Sequence, residues 1–85
     1  MNNVTIYTKD FCPFCTKAKS LLVLKKIKFT EINLHKNPEK FEEMIKKSNG
    51  AQTVPQTFSS DRYVGDCETI YELNAQGKLD QLLGI

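Results

Sequence analysis

Two cysteines three positions apart, in Cys12-Pro13-Phe14-Cys15, stand between an apolar run, Val4-Thr5-Ile6-Tyr7, and a helical pattern that begins at Pro13. No other segment restricts the fold as much. A strand that ends at a cysteine and a helix that begins there set the first sulfur beside unpaired helix N–H groups. The second sulfur then lies one turn inside the helix. A reversible disulfide between them needs little chain movement. The junction points to thiol–disulfide exchange.

With 85 residues the chain has room for one domain, residues 1–85, and one small core. Charged residues make up 26% and apolar ones 40%, the balance of a folded soluble protein. The net charge of +2 is too small to argue for nucleic acid or a lipid surface. Met1-Asn2-Asn3-Val4 lacks the basic and then apolar pattern of a signal peptide. No run approaches the roughly 18 apolar residues of a membrane span. Three cysteines also fit poorly with a secreted disulfide framework, so a reducing cytoplasm is expected. In that compartment a C-x-x-C pair is more often catalytic or metal-binding than structural.

Val4 to Thr8 reads as a short buried strand, followed by a loop at Lys9-Asp10-Phe11. A helix is expected from Pro13, a favoured first position, to about Lys26, with Phe14, Ala18, Leu21 and Leu22 on its core face. Ile27 to Leu34 reads as a strand, with Phe29 and Glu31 on one face and Thr30 and Ile32 on the other. Asn37 and Pro38 mark the cap and first position of a helix in which Phe41, Met44, Ile45 and Ser48 follow at helical spacing. Glu42–Lys46 and Glu43–Lys47 support it at i, i+4, and Asn49-Gly50 stops it. Gln56–Ser59 and Tyr63-Val64 read as strands joined by Ser60-Asp61-Arg62. Gly65 breaks the second, and Asp66 or Cys67 opens a helix that buries Ile70 and Leu73 and ends at Gly77. Leu79, Leu82 and Leu83 form a last turn or two. The order is βαβαββα. A right-handed parallel βαβ unit and an antiparallel hairpin predict an α/β fold: a four-stranded mixed sheet flanked by helices, with strand one central.

Cys12 is the expected nucleophile. As an N-cap residue it can accept hydrogen bonds from the N–H groups of Phe14 and Cys15, and the helix dipole and Lys9 add positive potential. Thiols in such settings titrate at roughly 3.5–7.5 instead of about 8.5. Going from about 8.5 to about 5 raises the thiolate fraction at pH 7 about 30-fold, but a Brønsted slope of about 0.4–0.5 lowers each thiolate's reactivity roughly 25- to 55-fold. Attack gains little or nothing. Departure gains, because a more stable thiolate leaves faster. Cys15 is the expected resolving thiol, more buried and neutral at rest. A zinc site of Cys12, Cys15, Cys67 and His35 has enough ligands but lacks a second paired motif, so no metal is expected. His35 reads as a solvated loop residue.

Four segments, Ile6-Tyr7-Thr8-Lys9, Cys12-Pro13-Phe14-Cys15, Thr53-Val54-Pro55-Gln56 and Gly65-Asp66-Cys67-Glu68, stand in the order and spacing of a dithiol glutaredoxin of the bacterial type. The chain resembles that family over nearly its whole length. The resemblance implies a thioredoxin-like fold and a glutathione-dependent oxidoreductase, with glutathione as reductant. Its partners would be disulfide or glutathionylated proteins, ribonucleotide reductase among them, and the protein would act as a monomer. Catalysis falls to Cys12 and Cys15. Glutathione binding falls to Lys9, Phe14, Gln52, Thr53, Val54, Pro55, Cys67 and Glu68.

The residues alone leave Pro55 open between an ordinary strand-entry proline and a cis binding loop; the resemblance implies the latter, with the Val54 backbone pairing the cysteinyl part of glutathione. It likewise implies that the γ-glutamyl carboxylate docks on the N–H groups of Cys67 and Glu68. Three positions depart from the family pattern. Asp66 replaces a second glycine and either weakens the carboxylate contact or takes the ammonium. Phe14 stands where many members have Tyr, and Phe41 where some carry a basic residue that Lys40 would replace. Two other readings use the same motif. One is a thioredoxin-like protein served by a flavin reductase, which the glutathione segments oppose. The other is an iron–sulfur carrier, which Pro13 opposes.

Overall fold

The computed structural model describes residues 3–85; Met1 and Asn2, part of the stretch read above for a signal segment, lie outside them. The elements are β1 (Val4–Thr8), α1 (Pro13–Leu24), β2 (Phe29–Asn33), a 3₁₀ turn (Pro38–Lys40), α2 (Phe41–Lys47), β3 (Gln56–Ser59), β4 (Arg62–Gly65), α3 (Cys67–Ala75) and α4 (Leu79–Leu83). They form one mixed sheet in the order β2-β1-β3-β4. β1 runs parallel to β2 and antiparallel to β3, and β3 pairs antiparallel with β4. The expected fold class and the central place of β1 are both found.

Strand alternation divides the core. Val4 and Ile6 of β1 pack with Ala18, Leu21 and Leu22 of α1, Ile70 of α3, and Leu79 and Leu83 of α4. On the other face Tyr7 joins Phe58, Leu34 and Met44 of α2. Tyr7 meets Phe58 edge-on at 5.3 Å between ring centroids. The alternation in β2 holds as well: Phe29 packs on the α1 side and Ile32 on the α2 side.

Several boundaries differ from expectation. α1 stops at Leu24, two residues short of Lys26. Lys26 adopts φ 59°, its N–H donates to the Val23 carbonyl at 2.9 Å, and the Ile27 N–H donates to the Leu22 carbonyl at 2.9 Å. That is a Schellman closure built on lysine where glycine is usual. α2 and α3 close in the same way at Asn49-Gly50 and Gly77. β2 loses Ile27, Lys28 and Leu34 from the expected strand, and β4 gains Arg62 and Gly65. Asn37 makes no cap; its side-chain amide donates to the Asn33 carbonyl at 3.2 Å, and a 3₁₀ turn leads into α2. Glu43 pairs with Lys47 at 3.5 Å and with Lys40 at 3.4 Å. The Glu42–Lys46 pair is not found among the described residues. The C-terminal leucines form a separate helix, so the order is βαβαββαα.

One polar cluster lies on the α1 side of the sheet. The hydroxyl of Thr8, fully buried, donates to Glu31 Oε2 at 2.6 Å, and Lys19 Nζ approaches the same oxygen at 3.0 Å. The Thr8 hydrogen bond, with Lys19 adding to it against the effect of burial, holds the Glu31 carboxyl below the usual range. Its contribution to stability is therefore in place above the unfolded glutamate value of about 4.3 and is lost as pH falls through the folded value. Thr8→Val is expected to raise the Glu31 pKa in an NMR titration and to move acid unfolding to higher pH. An unchanged Glu31 titration would mean that Lys19 alone sets it.

Candidate active site

The chain leaves β1 at Thr8 and must enter α1 by Pro13. Phe11 makes the reversal at φ 55°, and its ring is fully exposed. Cys12 follows in an extended conformation as the N-cap of α1, and its Sγ accepts the Cys15 N–H at 3.2 Å. Of the two N–H groups expected to reach this sulfur, Phe14 and Cys15, the Cys15 group makes the bond. Cys12 is partly exposed and Cys15 is 1% exposed, and both are free thiols. Burial, together with the hydrogen bond to Cys12, pushes the Cys15 thiol up to about 12, with the Lys9 backbone and Lys19 opposing. The pair is therefore asymmetric: one sulfur faces solvent at a helix end, and the other is a buried neutral thiol behind it.

Phe14 is not a core residue. It is 64% exposed, and Cys15 turns inward in its place. Helical Cα–Cβ bonds tilt toward the N-terminus, so a ring in the first turn reaches past the end of the sheet. Phe14 instead lines a cleft of about 730 Å³. Thr53, Val54 and Pro55 form one wall and Asp66, Cys67 and Glu68 another. Six of the predicted site residues thus meet around one space: Phe14, Thr53, Val54, Pro55, Cys67 and Glu68. The Val54–Pro55 bond is cis.

The Thr53 wall is tied to the sheet. The buried Gln56 amide donates to the Thr53 carbonyl at 3.0 Å and to its hydroxyl at 3.3 Å. Gln56 Oε1 accepts the Tyr63 hydroxyl at 2.6 Å. Burial, with the charge of Asp66 adding, pushes the Tyr63 hydroxyl pKa up, so it stays a donor.

At the other wall, Gly65 takes φ +145°, and a Cβ there would lie 2.6 Å from Thr69 Cγ2. Asp66 then caps α3: its Oδ1 accepts the Thr69 N–H at 2.9 Å. The acid that departs from the glycine pattern has a structural task. Cys67 and Glu68 occupy the first two positions of α3, where backbone N–H groups lack intrahelical partners. Burial pushes the Cys67 thiol up, with Lys17 opposing and Asp66 and Cys12 adding.

Cys12 itself opens on a second cavity, of about 580 Å³, together with Cys15, Lys9, Lys19 and Glu31. Lys9 therefore lies on this side of Cys12 and not in the first cleft. Gln52 is exposed and lines neither space. Lys40 is engaged by Glu43 at 3.4 Å, and Phe41 is part-exposed beside it. His35 Nδ1 accepts the Asp10 N–H at 3.2 Å and lies 3.4 Å from Asp10 Oδ2, so it belongs to a loop contact. Among the described residues, no group of three or more His, Cys, Asp and Glu is placed to hold a metal ion.

Sequence reasoning missed Lys17, Tyr71, Glu72 and Ala75 as parts of the first cleft. Tyr71 donates its hydroxyl to the Lys17 carbonyl at 3.0 Å, and Lys17 Nζ lies 4.9 Å from the Tyr71 ring centroid. The signal was available: Cys67, Tyr71 and Ala75 recur every four residues, one face of α3.

The Glutaredoxin family profile matches residues 4–64. Glutaredoxin 3 of Escherichia coli (strain K12) is 49% identical over 83 residues, covering 98% of this chain and 99% of that one. The solution structure of glutaredoxin from Brucella melitensis superposes with a TM-score of 0.81 at 40% identity, over 100% of this chain and 94% of the other. A buckwheat glutaredoxin–glutathione complex shares the fold with a TM-score of 0.86 at 22% identity, over 98% and 77%. No helix among the described residues is long and apolar enough to cross a membrane.

Asp66→Ala removes the α3 cap and is expected to lower stability by about 0.5–2 kcal/mol in denaturant unfolding. Asp66→Asn, which keeps a capping oxygen, should recover most of that. Equal losses in the two variants would assign the effect to charge and not to the cap.

Proposed function

This chain belongs to the glutaredoxin family, and from that premise we propose that it is a glutathione-dependent thiol–disulfide oxidoreductase acting through Cys12 and Cys15. The observation that carries the reading is the asymmetry of the pair: Cys12 Sγ at the helix end, held by the Cys15 N–H, with buried Cys15 behind it. Thiolate is the nucleophilic form of cysteine.

The Cys12 thiolate attacks the glutathione sulfur of a glutathionylated substrate. A Cys12–glutathione disulfide forms, and the substrate thiolate leaves and takes a proton. A second glutathione, as thiolate, attacks the adduct, releasing glutathione disulfide and restoring Cys12. For a protein disulfide, Cys12 instead forms a mixed disulfide with the substrate. Cys15 then loses its proton, attacks Cys12 Sγ and expels the reduced substrate. Two glutathione molecules reopen the Cys12–Cys15 bond. Two of the causes that raise Cys15 are the hydrogen bond and the charge of Cys12. The charge is lost when Cys12 becomes a disulfide, which eases loss of the Cys15 proton at that stage, while burial, the larger cause, remains.

Glutathione fits the first cleft. The Val54 backbone presents an edge for the cysteinyl segment in β-strand fashion. The N–H groups of Cys67 and Glu68 offer an anion site for the γ-glutamyl carboxylate. Since Asp66 is engaged at Thr69, Glu68 is the better acceptor for the ammonium. The glycyl carboxylate would reach Lys9 or Gln52 by spanning the Phe14 ring. We further propose that one domain, residues 1–85, performs this work as a cytoplasmic monomer, on protein disulfides such as that of ribonucleotide reductase.

In a glutathione-coupled assay, Cys12→Ser should abolish turnover of every substrate. Cys15→Ser should keep removal of glutathione from a small mixed disulfide and lose reduction of a protein disulfide. Full turnover by Cys12→Ser would overturn the assignment.

A further inference from the structure

The Thr8–Glu31–Lys19 cluster does not touch the glutathione cleft, yet its Glu31 and Lys19 line the cavity that Cys12 and Cys15 also line, with Thr8 buried beneath them. An ion pair exposed to about one third contributes little stability by itself. This one is anchored from below by a fully buried hydroxyl at 2.6 Å, which fixes the carboxylate, and the carboxylate fixes the ammonium at 3.0 Å. Lys19 also stands four residues after Cys15 on α1, the spacing that brings two side chains together on a helix, about 5–6 Å apart at Cβ. The arrangement holds the Lys19 ammonium against Glu31 in the cavity that Cys15 also lines.

We propose that Lys19, held by Glu31 and Thr8, stabilises the negative charge that develops on the Cys15 sulfur as it closes the Cys12–Cys15 disulfide. The inference rests on the oxidoreductase reading and names a residue for its dithiol step. In that step the Cys15 S–H bond breaks and its proton goes to solvent. A Cys15–Cys12 bond forms, and the Cys12–glutathione bond breaks. Glutathione leaves as thiolate and takes up a proton. No net oxidant is needed, because one disulfide replaces another.

Other groups around Cys15 do not duplicate this charge. Cys12 loses its charge in the mixed disulfide. Lys9 acts on Cys15 through its backbone. Asp10 is bound by the Asn33 side chain at 2.9 Å and lies 3.4 Å from His35. Glu31 moderates the ammonium without removing it from the cavity. The direction in which Lys19 acts on the Cys15 thiol, downward, agrees with the geometry. Glutathione exchange by Cys12 alone does not pass through Cys15 and should depend on Lys19 less than closure does.

The test is a rapid-quench measurement on the full chain. Reduced protein is mixed with one equivalent of glutathione disulfide and quenched in acid, and mass spectrometry follows the decay of the Cys12 adduct into the internal disulfide. Lys19→Met is expected to slow closure about 3- to 10-fold at pH 7 and to move the pH–rate profile upward. Lys19→Arg should restore closure. In the Cys15→Ser background, Lys19→Met should slow glutathione-coupled turnover by less than it slows closure in the parent chain. Wild-type closure with an unmoved pH profile in Lys19→Met would overturn the proposal. So would equal slowing in Lys19→Arg, or equal loss in the Cys15→Ser background. If wild type forms no adduct with glutathione disulfide, the glutathione reading fails. The same closure is then measured from the 2-mercaptoethanol adduct, with the same expected and overturning results.

Discussion

The site depends on one constraint: β1 must become α1 between Thr8 and Pro13 with its direction reversed. β1 is held on both sides, by β2 and by β3, so its end cannot shift. The reversal falls on Phe11, whose positive φ sends Cys12 out of the strand and into the cap position. Pro13 then supplies the helical φ in advance and donates no N–H that would need a partner. The sulfur receives the Cys15 N–H because the helix begins there. The same start phases α1 so that Ala18, Leu21 and Leu22 reach the sheet and Cys15 is covered. Exposure of one sulfur and burial of the other are two results of a single helix register.

Much of this was legible in the chain. The strand at Val4–Thr8, the helix at Pro13 and the hairpin of Gln56–Ser59 with Arg62–Gly65 all carry local signals: an apolar run, a favoured proline position, and a short polar turn between two short strands. The two cleft walls were legible as short motifs, Thr53-Val54-Pro55 and Gly65-Asp66-Cys67-Glu68. Their reading as walls came with the resemblance, since the residues alone left Pro55 open between a strand-entry proline and a cis loop.

What could not be read depends on distant neighbours or on unusual residue choices. Lys26 closes α1 where the common signal is glycine, so the helix looked two residues longer than it is. Phe14 satisfies the apolar spacing but stands at the helix end, where there is no sheet left to cover it. Asp66 looked like an intrusion at an anion-binding end; its capping bond to the Thr69 N–H appears only once the helix start is fixed. Lys17 and Tyr71 meet across 54 positions of sequence, and the Thr8–Glu31 bond spans 23. Periodicity within one element carries no information about such pairs.

The Gln56 side chain gives the cleft an unusual kind of rigidity. Its amide is 2% exposed and serves three partners at once, the Tyr63 hydroxyl and the carbonyl and hydroxyl of Thr53. Each bond adds only about 0.5–1.5 kcal/mol, but a buried polar group left without its partner costs about 1–3 kcal/mol. The wall cannot drift away from β3 and β4 without leaving the buried Gln56 amide unpaired, whereas the exposed Thr53 can turn to water. The restraint therefore lies on the buried side of each bond. One amide thereby couples the shape of the cleft to the order of the sheet edge behind it.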